Sequence, residues 1–226
     1  MIRLPENFDE TCSCELSDAS RDAIEKGKLK IQIRHHGSKG IIRKFSLNCS
    51  AKSGVFNIFV ANDLSTIDIG EEVMGSYSFM MWRESRIVIG RETTCVGARF
   101  ICDKSSIEIG RDCMLSDQII IQAADQHGIV DLKAGKIENN ISRSVKIGDH
   151  VWIGRAANIL YGADISDGSI VGFGSLVNKS VPKNSLAVGI PARVTKSDVT
   201  WCRLPGNLDA YSMREVERYS ALTAEE

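Results

Sequence analysis

A chain of 226 residues can bury a substantial core, and 43% apolar with 25% charged side chains is ordinary for a soluble globular protein. With 28 Lys and Arg against 29 Asp and Glu the net charge is −1, so neither a nucleic acid nor an anionic membrane is an expected partner. No apolar run approaches the roughly 20 residues that span a bilayer, so no membrane insertion is expected.

The first stretch, MIRLPENFDETCSCE, lacks the apolar segment of a secretory signal, and a cytoplasmic protein is the simplest expectation. The seven cysteines (Cys12, Cys14, Cys49, Cys95, Cys102, Cys113 and Cys202) are odd in number and match no zinc spacing. Cys95 and Cys113 fall on apolar or small positions of a repeat and should be buried in a reducing compartment. Residues 17–26 read as a short capped helix inside an N-terminal cap segment, 1–30.

From about Ile31 the chain is repetitive. IDIG, IVIG and IEIG end at Gly70, Gly90 and Gly110, twenty residues apart each time. Ile109, Leu115 and Ile121 then step by six, and Ile147, Ile153, Ile159, Ile165, Val171 and Val177 do so without a slip. Four residues after each of these last six stands a mostly small one: Val151, Ala157, Ala163, Ser169, Ser175 and Val181. A period of six is neither the 3.6 of a helix nor the 2 of a strand. It fits a short strand and a tight corner repeated around a triangle, with stacked coils forming parallel sheets on three faces of an all-β solenoid. Gly148, Gly154 and Gly172 follow the aliphatic residue, where they are expected to relieve corners at positive φ.

The ladder breaks once. Continuing from Ile121, the next inward position is His127, and an imidazole inside an aliphatic triangle would lack hydrogen-bond partners. The chain should therefore leave the coil and form a loop, 122–144, before rejoining at Val145-Lys146-Ile147-Gly148. Histidine is the side chain suited to move protons near neutral pH, and loops on rigid scaffolds carry functional residues disproportionately. Asp125 and Asp131 are candidates to hold one ring nitrogen of the imidazole. His150, in IGDHVW, occupies a turn of the ladder and reads as structural. After Val194 the repeat stops, and the extension 196–226 reads as a helix with Asn207 or Asp209 as N-cap and Met213, Val216 and Tyr219 on one side. Both termini are expected to cover the open ends of the solenoid.

VKIGDHVWIGRAANILYGADISDGSIVGFGSLVNKSVPKNSLAVGIPARVTK resembles the left-handed β-helix, hexapeptide-repeat acyltransferases, most specifically in VGFGSLVNKSVP and AVGIPARV. SDQIIIQAADQHGIVD is similar to the branch that O-acetylates sugars and capsular polysaccharides. The resemblance implies a left-handed parallel β-helix over 31–195, a homotrimer with sites between subunits, acetyl-CoA as acyl donor, and no metal. It implies His127 as general base toward a hydroxyl of a sugar or polysaccharide precursor, with Asp125 and Asp131 beside it. For the donor it implies Trp152 beside the pantetheine arm, corner contacts at Arg155 and Phe173, a hydrogen bond from Asn178, and Lys179, Arg193 and Lys196 on the phosphates. Phe173 and Arg155 depart from the family's usual small residues there. N-acetylation of an amino sugar, O-acetylation of an antibiotic, and a non-catalytic scaffold are alternatives. A zinc anhydrase on the same scaffold would need three histidines, and His35, His36, His127 and His150 lack the required spacing: five before His127 is Gln122, and five after His150 is Arg155.

Overall fold

The computed structural model describes residues 4–35, 40–139 and 144–223. His36, residues 140–143 of the expected loop and the last three residues lie outside the described residues. The chain is a parallel β-solenoid. One face carries seven short strands: Ser13–Leu16, Ser46–Cys49, Thr66–Ile69, Arg86–Ile89, Ser106–Ile109, Val145–Ile147 and Asp164–Ile165. The other two faces share a 12-stranded sheet. In the early coils that sheet is made of the long strands Leu29–His35, Ser53–Val60, Met74–Met81 and Thr94–Cys102. It then splits. Met114–Leu115, Trp152–Ile153 and Ile170–Val171 continue one half as the second face, and Ile119–Gln122, Asn158–Leu160 and Leu176–Val177 continue the other as the third face.

The six-residue step is the register of this stack. Ile147 pairs with Ile165, Ile153 with Val171 and Ile159 with Val177, and all six side chains point into the core. The small residues four positions on, Val151 to Val181, are buried as well, at the corners where a larger side chain has no room. Earlier coils repeat at twenty, pairing Ile67 with Ile87 and Ile87 with Ile107. The two extra residues accommodate aromatic rings: Phe56 stacks on Tyr77 at 4.9 Å and Phe79 meets Phe100 at 5.0 Å, all fully buried. Gly54 and Gly75 sit where these long strands bend, at φ 123° and 124°. A Cβ on Gly75 would lie 1.7 Å from the Cys95 carbonyl oxygen, so only glycine fits.

The ladder glycines work differently from the expectation. Gly148, Gly154 and Gly172 are not at positive φ. They lie under the next coil, where a Cβ on Gly154 would stand 2.8 Å from the Val171 carbonyl oxygen. The left-handed turn comes two residues later: at the first corner in the column Glu72, Glu92, Asp112, His150, Gly168 and Asn184, with φ from 49° to 68°, and at the second corner on Ala156 and Gly174. Each amide from Glu92 onward donates to a carbonyl of the coil before, for example His150 N–H to Arg111 O at 2.8 Å.

The parallel ladder starts earlier than the periodicity does, because Ser13–Leu16 pairs with Ser46–Cys49 without repeating its pattern. Between them lies helix α1 (Asp18–Glu25), N-capped by Ser17, whose Oγ accepts from the Ser20 amide, and it buries Ala23 against the core. At the other end helix α2 (Ala210–Thr223) is capped by Asp209, whose carboxylate accepts from the Ser212 amide at 2.8 Å. Its buried side is Ser212 and Tyr219; Met213, expected on that side, is 42% exposed. Cys95 and Cys113 are buried, and burial pushes both thiols up to about 12. Among the described residues no helix is long and apolar enough to cross a membrane.

Candidate active site and the clasp beside it

The loop after Gln122 leaves the solenoid at the third corner, the corner between the third and first faces. The coils on either side of it turn there in three residues, 103–105 and 161–163. Ile121 pairs with Ile159, 38 residues on, and removing one eighteen-residue coil leaves twenty residues for the excursion. The loop holds a two-residue hairpin, Val130–Asp131 against Lys136–Ile137. His127 lies before the hairpin and is exposed.

One residue missed in the sequence organises this loop. Asn139 donates from Nδ2 to the His127 carbonyl at 2.8 Å and to Asp125 Oδ2 at 2.9 Å. Its Oδ1 accepts from the Ile129 amide at 2.7 Å. A single amide side chain thus pins the backbone on both sides of His127. The signal was present as the asparagine pair at 139–140, but nothing in periodicity says where a loop amide will reach. Asp131 is turned away. It accepts from the Ala134 and Lys133 amides, and those bonds hold its carboxyl below the ordinary range. Among the described residues neither Asp125 nor Asp131 hydrogen-bonds the His127 ring, which is left free.

Arg155 and Phe173 occupy the second corner, one coil apart. Phe173 is 76% exposed. The Arg155 guanidinium lies back along the corner, its Nε 2.5 Å from Asp117 Oδ1. Its backbone N–H has no partner among the described residues, nor has that of Phe173, whereas the following Ala156 and Gly174 amides are both bonded across coils. Arg193 is near this corner, on the strand Ala192–Ser197 that returns antiparallel along Ser185–Gly189, and Lys196 lies further along it. Asn178 and Lys179 are exposed at the third corner, two coils beyond the His127 loop. Lys179, Arg193 and Lys196 form no ion pair among the described residues. Trp152 faces outward between Met114 and Ile170, its ring centroid 6.5 Å from that of Trp201. Within one chain, therefore, His127 and Lys179 share one corner, while Arg155, Phe173 and Arg193 gather at another across the width of the third face.

The fourth histidine, His150, is buried at the first corner. Its Nδ1 lies 2.7 Å from Asp112 Oδ2 and its Nε2 3.0 Å from the Trp201 carbonyl oxygen, both hydrogen-bond distances. Trp201 Nε1 donates back to the His150 carbonyl, and the rings of Trp201 and Tyr219 stack on the imidazole at 4.4 and 4.9 Å. Arg203 donates to the other oxygen of Asp112 at 2.7 Å. The extension after the repeat is clasped onto the corner column by this set. Ligand atoms of Asp112, His150 and Glu215 come within 4.8 Å of one another, a spacing a metal could use. Both His150 nitrogens and both Asp112 oxygens are already engaged, so the cluster reads as a clasp.

No family model matches the chain. The polysialic acid O-acetyltransferase of Escherichia coli O1:K1 is 35% identical over 121 residues, 53% of this chain and 39% of that protein. The galactoside O-acetyltransferase of Escherichia coli K12 is 31% identical over 112 residues, 50% of this chain and 54% of that one. The chain thus spans about half or less of the length of these curated relatives. The crystal structure of the polysialic acid O-acetyltransferase OatWY superposes with a TM-score of 0.77 over 92% of this chain and 96% of its own, at 24% identity.

Proposed function

We propose that this chain, a left-handed β-helix of the kind found in hexapeptide-repeat acetyltransferases, is an acetyl-CoA-dependent O-acetyltransferase that acts on a hydroxyl of a sugar or a cell-surface polysaccharide precursor. One observation carries the reading: the break in an otherwise regular ladder sets a histidine on a pinned loop, its ring exposed and without a hydrogen bond among the described residues. The relatives named above act on polysialic acid and on galactosides, and they support a saccharide acceptor.

The chemistry follows from the groups present. His127 takes the proton of the acceptor hydroxyl as its oxygen attacks the thioester carbonyl carbon. The tetrahedral oxyanion is met by backbone N–H groups, for which the unpartnered amides of Arg155 and Phe173 are the candidates. Collapse breaks the carbon–sulfur bond, and the imidazolium returns its proton to the departing thiolate. Trp152 and Asn178 line the donor's path, and Lys179, Arg193 and Lys196, which form no ion pair among the described residues, meet its phosphates. Of the two loop carboxylates, Asp125 is assigned to the acceptor or to the loop's shape through Asn139, and Asp131 to the hairpin turn it caps. Because His127 and the Arg155–Phe173 corner are separated by a face within one chain, the site closes between copies. A homotrimer built from one repeated heterologous contact brings one copy's loop to its neighbour's corner. Seven free thiols and the donor's chemistry suit the cytoplasm.

Calorimetric titration with acetyl-CoA tests the donor without a guess about the acceptor. Binding near one site per chain is expected, and absence of binding at high micromolar concentration would contradict the proposal. Lys179→Ala is expected to weaken that binding by roughly threefold to tenfold; an unaltered dissociation constant removes Lys179 from the site. Asn139→Ala should leave donor affinity unchanged while kcat falls by about 10-fold to 10²-fold, because the loop histidine loses its fixed position. Unchanged kcat would show that Asn139 has no positioning role.

A further inference from the structure

Exposed apolar side chains gather in two patches, one at each corner of the third face. The first patch is the hairpin beyond His127. Ile129, Val130 and Ile137 are each more than half exposed, and Leu132, at the turn, is 94% exposed. The second patch is on the Arg155–Phe173 corner, where Phe173 and Ile190 are each 76% exposed. These two stand on successive coils, because Ile170–Val171, which leads to Phe173, pairs with Leu186–Ala187 of the strand that leads to Ile190.

The hairpin is held in shape by polar bonds alone. Asp131 caps its turn, the Glu138 amide donates to the Ile129 carbonyl at 2.8 Å, and Asn139 accepts from the Ile129 amide. Val130 and Ile137 lie opposite each other, so their side chains share one side of the hairpin. A two-stranded hairpin is marginal in water unless its apolar side packs on something.

We propose that this hairpin is an arm that docks on Phe173 and Ile190 of a neighbouring copy, so that one contact both holds the trimer and sets His127 against that copy's corner. The proposal rests on the reading above, which places the site between copies, and names the side chains that close it. It gives the Phe173 ring a use of its own. The family resemblance implies a small residue at that corner; here the ring is the seat of the arm, while the Phe173 amide is left to the donor.

A second copy is the occupant that the geometry favours. The two patches are separated by the width of the third face and cannot cover each other within one chain. A closed ring of three heterologous contacts covers all three hairpins and all three corners and leaves no patch over. The reach is sufficient. Between copies standing at one height, the root of the loop is two coils from Phe173, about 10 Å at the usual strand spacing. The ten-residue step from Gln122 to Leu132 spans up to roughly 33 Å when extended.

The test joins oligomeric state to activity in the full chain. The parent should be a trimer by native mass spectrometry. Leu132→Asp and Phe173→Ser should each raise the concentration at which the trimer half-dissociates by about tenfold or more. Specific activity of each should fall on dilution and recover on concentration. The two together should cost little more than either alone, because both remove one contact. Leu208→Asp, on the exposed segment before α2, should behave like the parent. Leu132→Cys/Phe173→Cys treated with a short bis-maleimide should give covalent dimers and trimers that neither single cysteine variant gives. A monomeric parent, a Leu132→Asp chain that stays trimeric as the parent does, or paired cysteines that yield no covalent oligomer would overturn the arm. Acetyl-CoA binding by the parent reports on the transferase reading separately: its absence would sink that reading and leave the cross-linking result standing.

Discussion

Replacing His127 by alanine is expected to leave acetyl-CoA binding intact and to slow acetyl transfer by a factor on the order of 10²–10⁴, the usual worth of a positioned base. The two halves of this expectation come from different parts of the chain. Donor contacts are assigned to the corners and to the strand Ala192–Ser197, so a change on the loop leaves them in place. The loop itself is held by Asn139 through the backbone carbonyl of His127 and the side chain of Asp125, neither of which the substitution removes. His127→Ala should therefore melt like the parent, because an exposed ring with no hydrogen-bond partner among the described residues contributes little to stability. A variant that retains full turnover would show that the base lies elsewhere. A variant that loses donor binding as well would show that the loop belongs to the donor site.

The second large effect is on stability. Asp112→Ala should lower it by about 3–5 kcal/mol, the range for removing one partner of a buried ion pair. The Asp112 side chain is 2% exposed and accepts from both His150 and Arg203. Its loss leaves the buried imidazole facing a void and frees Arg203 from the corner. Alanine also takes a left-handed φ of 50° less readily than aspartate. For a chain of this size the shift in Tm should be on the order of 10 °C, and Trp201, stacked on His150, gives a fluorescence signal for undocking of the extension. Burial pushes the Asp112 carboxyl up, while hydrogen bonds from His150, Arg203 and Tyr211 together bring it below its ordinary value of 3.8. A lowered carboxylate stabilises the fold above its unfolded pKa, and that stability is lost as pH falls through the folded value. The deficit of Asp112→Asn relative to the parent should accordingly shrink below about pH 4. A deficit that stays constant into acid would mean that the ionised carboxylate is not what holds the clasp.

Much of the fold could be read from the sequence because one constraint generates it. Ile147, Ile153 and Ile159 must face inward at every corner-to-corner step, so the period shows the coil, and its failure at His127 shows the loop. The long coils were less legible. Phe56, Tyr77, Phe79 and Phe100 share an interior, yet their stacking depends on strands two residues longer that bend at Gly54 and Gly75. The first strand, Ser13–Leu16, was invisible because a strand that merely caps a stack need not repeat its pattern. At the site, the exposure of His127 followed from the break in the ladder, whereas Arg155 and Phe173 came from the family resemblance alone. Asn139 followed from neither, because its bonds depend on how an irregular loop folds back.

The central claim is acetyl transfer to a saccharide hydroxyl. Its most direct test is to incubate the full chain with isotopically labelled acetyl-CoA and a panel of acidic and neutral glycans, and to read the products by mass spectrometry before and after mild alkali. The account predicts that a glycan of the panel gains the labelled acetyl group, that alkali removes it as expected of an ester, and that His127→Ala abolishes the gain. An acetyl group that survives alkali would mark an amide, and with it an amino-group acceptor. A protein that binds acetyl-CoA yet labels no glycan on the panel would contradict the account.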